Sequence, residues 1–311
     1  MTSVLISGST GFVGRHVTDY LLQLGLDVQP LKRGVSTDGY CWDNLTPALL
    51  DQINVVIHLG GKAHDTKNTS AAHEYFEVNT GLTQKIFDCF LESKASTFIF
   101  MSSVKAVADT VTGILTEEDK PDPLTPYGQS KLQAEHYIMS KVLPPNKRLF
   151  ILRPCMIHGP GNKGNLNLLY QFVQKGLPYP LAGFKNQRSF LSIDNLCFII
   201  NKLIADPVIP GGVYNLADDL PLSTNKVITL IAEENGVKPR LWEISSGLIK
   251  FLAKAGDKTG LPLNSERLKK LTESYVVSNA KIKKQLNIKN LPLTSEEGLR
   301  LTLKSFRSVK L

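Results

Sequence analysis

Short apolar segments alternate with longer amphipathic segments through the first half of the chain. The short segments are rich in Val, Ile and Phe, as buried parallel strands are, and the longer ones repeat apolar residues three and four positions apart, as helices do. The predicted strands are residues 4–7, 28–32, 55–59, 98–101 and 150–152, and the predicted helices are residues 12–24, 71–94 and 127–141. This alternation predicts parallel βαβ units with right-handed crossovers.

Three glycines follow the first predicted strand, where the chain turns into the first helix. Gly8, Gly11 and Gly14 have the spacing G-x-x-G-x-x-G, which differs from the G-x-G-x-x-G dinucleotide fingerprint. Free N–H groups at a helix start attract an anion, and glycines let phosphates and the strand come close. The segment therefore predicts a seat for a pyrophosphate, and the alternative is an ordinary glycine-rich turn.

The pattern changes at about residue 160, after which shorter pieces are separated by Pro and Gly, as at residues 176–178 and 207–212. We expect an α/β fold in which residues 1–160 form an NAD(P)-binding Rossmann domain with a doubly wound parallel sheet. Residues 161–311 are expected to form mainly a smaller C-terminal substrate-binding domain, interleaved with the last strands of the sheet.

Composition and charge fit a globular protein that binds a nucleotide. The chain has 311 residues, 42% of them hydrophobic, and a net charge of +8, which suits anionic ligands and equally a solvated basic surface. No apolar run approaches the roughly 18 residues of a membrane span, and a core strand begins directly after Met1, so we expect a cytoplasmic protein without a cleaved signal. The Cys and His spacings predict no metal site, and nothing in the pattern suggests nucleic-acid binding.

The end of the second predicted strand bears on the choice of cofactor. In dinucleotide-binding folds an acid at this place binds the ribose 2′-OH of NAD, whereas a basic residue accommodates the 2′-phosphate of NADP. Here the strand runs into Lys32 and Arg33 without an acid. A guanidinium can pair with the additional phosphate. The sequence therefore favours NADP(H), with NAD(H) possible and an exposed basic strand end as the plain alternative.

Two Tyr-x-x-x-Lys patterns lie ten residues apart on one predicted helix. Tyr127 and Lys131 share a helix face at its start, directly after Pro126, whereas Tyr137 and Lys141 lie about 15 Å further along. The first pair is closer to the mouth of the sheet. We therefore expect Tyr127 to be the catalytic tyrosine and Tyr137 to serve in packing.

Two serines end the predicted strand at residues 98–101, at the sheet edge where ligands of open α/β sheets bind. A hydroxyl of Ser102 or Ser103 can bind a substrate oxygen, and a tyrosine can exchange a proton with it. Because an ordinary tyrosine has a pKa near 10, it needs a neighbouring cation such as Lys131 to act as a base at neutral pH.

The order of these motifs resembles the extended short-chain dehydrogenase/reductase family, and specifically its nucleotide-sugar epimerase/dehydratase branch, over essentially the whole chain. The matching segments are residues 8–14, 56–61, 78–80, 100–104, 126–131, 152–154, 158–161 and 188–196. The resemblance implies catalysis by Ser103, Tyr127 and Lys131, and substrate contacts at Ser103, Asn165 and Arg188. The expected cofactor contacts are Gly8, Thr10, Gly11, Phe12, Val13, Gly14, Lys32, Arg33, Leu59, Gly60, Gly61, Asn79, Tyr127, Lys131 and Pro154. A homodimer through the helices near residues 71–94 and 127–141 is implied as well.

Departures from the family pattern narrow the expected chemistry. Dehydratases of this branch carry an Asp-Glu pair directly after the catalytic hydroxyl residue, where this chain has Val104 and Lys105. Epimerases of the branch usually carry the strand-end acid that is missing here. The segment at residues 103–105 also resembles enzymes that act on UDP-activated 4-keto-6-deoxy-N-acetylhexosamines in surface-polysaccharide synthesis.

The resulting hypothesis is NADPH-dependent reduction of the C4 ketone of a UDP-4-keto-6-deoxyhexosamine. Tyr127 would protonate the new C4 oxygen, Ser103 would hold that oxygen, and Lys131 would bind the nicotinamide ribose. The first alternative is a UDP-sugar 4-epimerase of the UDP-glucose type, which would use the same residues on a retained cofactor. The second is a catalytically idle NADP-binding regulatory or scaffold protein, against which the intact Ser103, Tyr127 and Lys131 argue.

Overall fold

A computed structural model describes residues 1–34, 39–62, 71–162, 164–259 and 264–308. Its strands are β1 (Ser3–Ser7), β2 (Asp27–Leu31), β3 (Val55–His58), β4 (Thr97–Met101), β5 (Ile114–Leu115), β6 (Arg148–Pro154), β7 (Met156–His158), β8 (Phe190–Ser192), β9 (Gly212–Leu216) and β10 (Val276–Val277). Its helices are α1 (Phe12–Gln23), α2 (Ala72–Tyr75), α3 (Leu82–Glu92), α4 (Pro126–Ser140), α5 (Asn165–Gln174), α6 (Ile193–Ala205), α7 (Thr224–Glu234), α8 (Ser246–Thr259), α9 (Ser265–Thr272), α10 (Ala280–Gln285) and α11 (Ser295–Ser308). No helix of the described ranges is long and apolar enough to cross a bilayer.

The central sheet has six parallel strands in the order β2-β1-β3-β4-β6-β9. The chain leaves β1 toward one side, forms β2, and then returns to the other side of β1 to form β3. This reversal leaves a crevice at the carboxyl ends of β1 and β3, which is where open α/β sheets bind their ligands. The predicted doubly wound α/β fold is therefore confirmed.

Both faces of the sheet are covered, which explains why its middle strands read as continuous apolar runs. Successive residues of a strand point to opposite faces, so Val4 and Ile6 join the core beneath α1 and α6, while Leu5 joins the core beneath α3 and α4. A further buried cluster lies in the C-terminal half. Its members include Tyr170, Val173, Ile228, Ile231, Leu299 and Leu303.

The observed elements differ from the predicted ones mainly at one helix. The segment predicted as a continuous helix at residues 71–94 consists of α2, a π-helical turn at Phe76–Gly81, and α3. A π turn adds a residue to one turn of a helix, and such turns often occur at functional sites. Here the turn carries Asn79, which is fully buried.

Candidate active site

The glycine turn after β1 lies directly against the end of β3. Gly8 has a positive φ of 74°, and a Cβ at this residue would lie 2.7 Å from the backbone N of Gly60. A Cβ at Gly14 would overlap the carbonyl oxygen of Gly8, so α1 could not lie so close to the strand. Gly11 occupies the N-cap position of α1, where no side chain caps the free N–H groups and the first turn has no acidic residue. This cradle fits a pyrophosphate.

The first turn of α1 is exposed at one side and covered at the other. Thr10 is exposed, while Phe12 and Val13 are half-buried. The ring of Phe12 packs edge-on against His16, with centroids 5.2 Å apart, and a ring nitrogen of His16 lies 2.9 Å from the carbonyl oxygen of Pro160. The turn after β7 therefore contacts the helix that follows the glycines.

A buried histidine fixes the turn that follows β3. The ring nitrogens of His58 lie 2.5 Å from the hydroxyl of Ser7 and 2.9 Å from that of Thr83, and the backbone N of Gly60 donates to the same Ser7 oxygen over 3.0 Å. Burial, together with the nearby cation of Lys131, lowers the pKa of His58 to about 3. His58 is therefore neutral at physiological pH and holds the two strand ends together.

Leu59, Gly60 and Gly61 leave the sheet toward Asn79 and Lys131. A Cβ at Gly61 would lie 2.8 Å from the Asn79 Oδ1 and 3.2 Å from the Lys131 Nζ. The amide of Asn79 accepts from the backbone N of Lys62 over 2.7 Å and donates to the Ser130 hydroxyl over 3.0 Å. The structure thus brings Gly61, Asn79 and Lys131 to one place, with little room for a side chain at Gly61.

The two cations at the end of β2 are exposed. The guanidinium of Arg33 stands over the ring of Trp42, 5.0 Å from its centroid, while the backbone N of Lys32 donates to Tyr40 over 2.9 Å. Neither cation forms an ion pair with a carboxylate of the described residues. Both charges remain available to an anionic ligand at this edge of the sheet.

The two serines after β4 face opposite ways, as successive residues of an extended chain do. Ser103 shares a hydrogen bond with the phenol of Tyr127 and accepts from the backbone N of Lys105 over 3.1 Å. The hydroxyl of Ser102 donates instead to the carboxylate of Glu135. Ser103 is therefore the serine that the structure brings to Tyr127.

Tyr127 lies in the first turn of α4, which is closely fitted to the turn after Ser103. Thr125 caps the helix by accepting from the backbone N of Gly128 over 3.2 Å, and a Cβ at Gly128 would overlap the carbonyl oxygen of Lys105. Burial raises the pKa of Tyr127, and the hydrogen bond with Ser103 opposes this effect. The phenol is thus protonated at neutral pH and is in place to donate a proton.

Lys131 lies one helical turn beyond Tyr127 and is only 5% exposed. Its Nζ donates to the carbonyl oxygen of Met101, the last residue of β4, over 2.8 Å, and lies 5.0 Å from the centroid of the Phe100 ring. Burial lowers the pKa of Lys131 to about 8, although the carboxylate of Glu135 acts in the opposite direction. The structure therefore brings together Ser103, Tyr127 and Lys131 at the carboxyl edge of β4.

The second Tyr-x-x-x-Lys pair lies away from this edge. The phenol of Tyr137 donates to the carboxylate of Asp88 on α3, over 2.8 and 2.7 Å to its two oxygens. The Nζ of Lys141 lies 4.5 Å from the centroid of the Tyr137 ring. This pair joins two helices and takes no part in the cluster around Ser103.

The remaining predicted site residues occupy different surroundings. Pro154 is buried at the end of β6, beside Leu216 of β9, and Asn165 is the exposed first residue of α5. Arg188 is half-buried; its Nε donates to the carbonyl oxygen of Glu273 over 3.3 Å.

A tyrosine that the sequence did not point to links the C-terminal half to the turn after Ser103. The phenol of Tyr275 donates to the carbonyl oxygen of Ala108 over 2.7 Å, and the Nζ of Lys105 lies 4.4 Å from the centroid of its ring. The Nζ of Lys105 also donates to the carbonyl oxygen of Asp109 over 2.8 Å. No sequence signal identified Tyr275, because the contact spans a separation of 167 residues.

The sequence model of the NAD dependent epimerase/dehydratase family matches residues 4–217, which contain the glycine turn, Ser103, Tyr127 and Lys131. The chain belongs to this family. The predicted family and the expectation of an enzyme of the extended short-chain dehydrogenase/reductase type are both confirmed.

Relatives and solved structures cover nearly the whole chain. The UDP-glucose 4-epimerase of Vibrio cholerae is 28% identical over 98% of this chain and 95% of its own length. The crystal structure of UDP-N-acetylglucosamine 4-epimerase from Bacillus cereus matches with a TM-score of 0.77 at 19% identity, over 99% of this chain and 100% of its own. MoeE5 in complex with UDP-glucose and NAD matches with a TM-score of 0.75 at 20% identity, over 98% and 99%. At these identities the two structures establish a shared fold.

Proposed function

We propose that this enzyme reduces the C4 ketone of a UDP-4-keto-6-deoxyhexosamine with NADPH, as a step of surface-polysaccharide synthesis. The observation that carries the proposal is the meeting of Ser103, Tyr127 and Lys131 at the carboxyl edge of β4. A hydroxyl, a phenol and a buried ammonium at one place suit proton transfer to a ketone oxygen that becomes an alcohol.

The cradle at the switch point of the sheet fits a dinucleotide. Gly8, Gly11 and Gly14 would hold its pyrophosphate, and Gly61 with Asn79 would border its nicotinamide half, where Leu59 and Pro154 would add apolar contacts. Lys32 and Arg33 would hold the 2′-phosphate of NADP(H), since both are exposed cations at the end of β2. When bound, the reduced cofactor supplies a hydride to C4 of the sugar.

The residues of the chain supply the proton and orient the sugar. Tyr127 would donate its phenolic proton to the C4 oxygen, and the hydroxyl of Ser103 would hold that oxygen. Lys131 would bind the nicotinamide ribose and stabilise the phenolate that remains, because a buried cation favours the charged form of a neighbouring acid. The carbonyl of Met101 fixes the ammonium in this position.

The C-terminal half would hold the nucleotide part of the substrate. Residues 161–311, with the buried cluster around Tyr170 and Ile228 as their core, are proposed to form most of the substrate-binding domain. From the same half of the chain, β9 adds the sixth strand to the central sheet and α6 packs on one face of it. Arg188 would pair with the diphosphate, with Asn165 as a further contact. We also propose a homodimer through the exposed sides of α3 and α4.

A second candidate is a UDP-sugar 4-epimerase, in which the same residues serve oxidation and re-reduction of C4 on a retained cofactor. The specific observation in its favour is the name of the Vibrio cholerae relative, UDP-glucose 4-epimerase. We prefer the reductase because Lys32 and Arg33 stand where an acid would contact the ribose of NAD.

The two candidates differ in what happens to the cofactor. Mild denaturation of the purified protein would release its bound small molecules, and mass spectrometry would identify them. A reductase exchanges its cofactor in every cycle, so we expect little bound nucleotide and one NADPH consumed for each 4-keto-sugar reduced. Tightly bound NAD, together with interconversion of UDP-hexoses without net change in nicotinamide absorbance, would instead support the epimerase.

A further inference from the structure

A buried group of charged and polar side chains lies directly behind the Ser103–Tyr127–Lys131 cluster. Glu135 of α4 is fully buried, and Arg153 of β6 and Ser102 after β4 are 4% and 3% exposed. None of these residues belongs to the proposed proton-transfer machinery. A buried carboxylate is costly unless it is paired, so its position next to the site requires an explanation.

Glu135 joins three elements that carry the site. Its carboxylate accepts from the Arg153 Nε over 3.0 and 3.2 Å and from the Arg153 Nη2 over 2.5 Å, in a two-pronged ion pair. It also accepts from the hydroxyl of Ser102, the residue before Ser103. Because Glu135 lies one helical turn after Lys131, the same carboxylate fixes the end of β4, the end of β6 and the body of α4.

Titratable groups near Lys131 come from β3 and from α4 itself, and a cation of β6 pairs with one of them. His58 at the end of β3 is neutral, since its pKa is lowered to about 3. Tyr127 on α4 is protonated, since burial raises its pKa. Glu135 is the negative charge that raises the pKa of Lys131, against the larger effect of burial. Arg153, on β6, is held by Glu135.

We propose that Glu135 is a positioning residue, which holds Ser103 and Lys131 in register by clamping the ends of β4 and β6 to α4. This inference rests on the proposed use of Lys131. A purely structural ion pair could be replaced by apolar residues of similar size without loss. A positioning pair could not, because one carboxylate, one helical turn after Lys131, holds both the Ser102 hydroxyl, next to Ser103, and the Arg153 guanidinium. The same carboxylate is also the negative charge that raises the pKa of Lys131.

The test is the pKa of Lys131 itself, measured without substrate or cofactor. In full-length protein labelled with [13Cε]-lysine, the resonance of Lys131 is assigned by its absence in Lys131→Arg and followed by NMR as a function of pH. Glu135→Gln keeps the shape of the side chain and removes its charge. We expect the Lys131 pKa to fall by about one pH unit in this variant. Glu135→Asp, which keeps the charge, should restore most of the wild-type value.

Two further variants separate positioning from stability. Asp219→Asn removes the carboxylate of a different ion pair, which is only partly buried, with Lys283 at 2.7 Å, and should lower stability without moving the Lys131 resonance. If Glu135→Gln does not fold, the double variant Glu135→Gln with Arg153→Met avoids an unpaired guanidinium. It is compared with Arg153→Met alone, because removing the Arg153 cation by itself raises the Lys131 pKa; the Lys131 pKa should be lower in the double variant. An equal Lys131 pKa in Glu135→Gln and the wild type, or in the double variant and Arg153→Met, would overturn the proposal.

Activity gives a separate readout. If the reductase assay succeeds, the alkaline limb of the kcat profile should move to lower pH by about one unit in Glu135→Gln, with KM little changed. If the wild-type protein reduces no 4-keto-sugar, the proposed function fails while the NMR result still decides the role of Glu135 toward Lys131.

Discussion

The two ends of helix α4 carry the same Tyr-x-x-x-Lys pattern in different surroundings. At the first end, Tyr127 bonds to Ser103, and the Lys131 Nζ donates to the carbonyl oxygen of Met101 over 2.8 Å. At the other end, Tyr137 bonds to Asp88 on the neighbouring helix, and the side chain of Lys141 is 38% exposed. Burial lowers the pKa of Lys131 to about 8, whereas the contact with Tyr137 raises the pKa of Lys141.

The difference shows that residue type and spacing do not by themselves make a catalytic pair. The first pair lies where α4 begins, against the carboxyl ends of β4 and β6, so its lysine is desolvated and its tyrosine meets a serine. The second pair lies ten residues further along, outside the mouth of the sheet, and it serves to join α3 and α4.

The largest expected effect comes from removing each phenolic hydroxyl in turn. Tyr127→Phe keeps the ring and removes the proton donor, so turnover should fall by about 10²–10⁴-fold. Tyr137→Phe, the matched control on the same helix, should leave kcat near the wild-type value. Steady-state kinetics of both variants measures this, and an inactive Tyr137→Phe beside an active Tyr127→Phe would reverse the assignment of the two ends.

The two lysines should contribute to stability with opposite pH dependence. Lys131 titrates near pH 8 in the folded state but near 10.5 when unfolded. Between these values the unfolded state binds more protons, so the stability of the wild-type protein relative to Lys131→Met rises with pH, by at most about 3 kcal/mol. The raised pKa of Lys141 gives the opposite sign: its contribution is present below the unfolded pKa and is lost at higher pH.

Urea unfolding of the wild type, Lys131→Met and Lys141→Met between pH 7 and 10 would measure the Lys131 contribution. The Lys141→Met difference should stay constant in this range, because the range lies below the unfolded pKa of lysine, 10.5. Each difference from the wild type cancels the titration of the other groups. If the Lys131→Met difference stays constant across this range, Lys131 does not titrate abnormally in the folded state.

The cofactor should distinguish the two ends as well. Addition of NADPH should shift the NMR resonance of Lys131 and leave that of Lys141 in place.

Arg33→Asp puts an anion where the 2′-phosphate is proposed to bind, so NADPH should bind about tenfold to hundredfold more weakly and the affinity for NADH should change much less. Equal weakening of both cofactors would make Arg33 a solvated surface residue, and a shift of the Lys141 resonance would contradict the proposed placement.

The smallest expected effect is on the stability of the protein, through Tyr137 at the far end of α4. Tyr137→Phe removes the hydrogen bond to Asp88, which is half-buried, so the free energy of unfolding should fall by about 1 kcal/mol. Thermal or urea unfolding would measure it. A much larger loss would mean that Tyr137 holds more of the α3–α4 contact than its hydrogen bond to Asp88.

The sequence predicted the sheet and the position of Tyr127 and Lys131 at the start of α4 well, because the signals there are local. Apolar runs of four to five residues and a glycine turn identify β1, β3 and β4, and Pro126 marks the start of α4. The choice of Ser103 over Ser102 came from the family resemblance. In the structure it follows from strand alternation, which turns neighbouring side chains to opposite faces.

Other parts of the site depend on contacts between distant residues, which periodicity does not reveal. The Glu135–Arg153 pair joins a helix to a strand, and Tyr275 reaches back to Ala108 from the C-terminal half. The π turn that carries Asn79 inserts a residue into a helical pattern, so it was predicted as continuous helix. The C-terminal elements are short, and tertiary packing determines them more than their own patterns do.

At the end of α4 near Ser103, Tyr127 is proposed to protonate the C4 oxygen of a UDP-4-keto-sugar while NADPH supplies a hydride to C4. The most direct measurement uses NADPH carrying deuterium at the transferred position, a UDP-4-keto-6-deoxyhexosamine, and mass spectrometry with NMR of the product. The account predicts one deuterium at C4 of the product for each NADP⁺ formed, and no product with Tyr127→Phe under the same conditions. Product without deuterium, or UDP-hexose epimerisation on tightly bound NAD with no NADPH consumed, would contradict it.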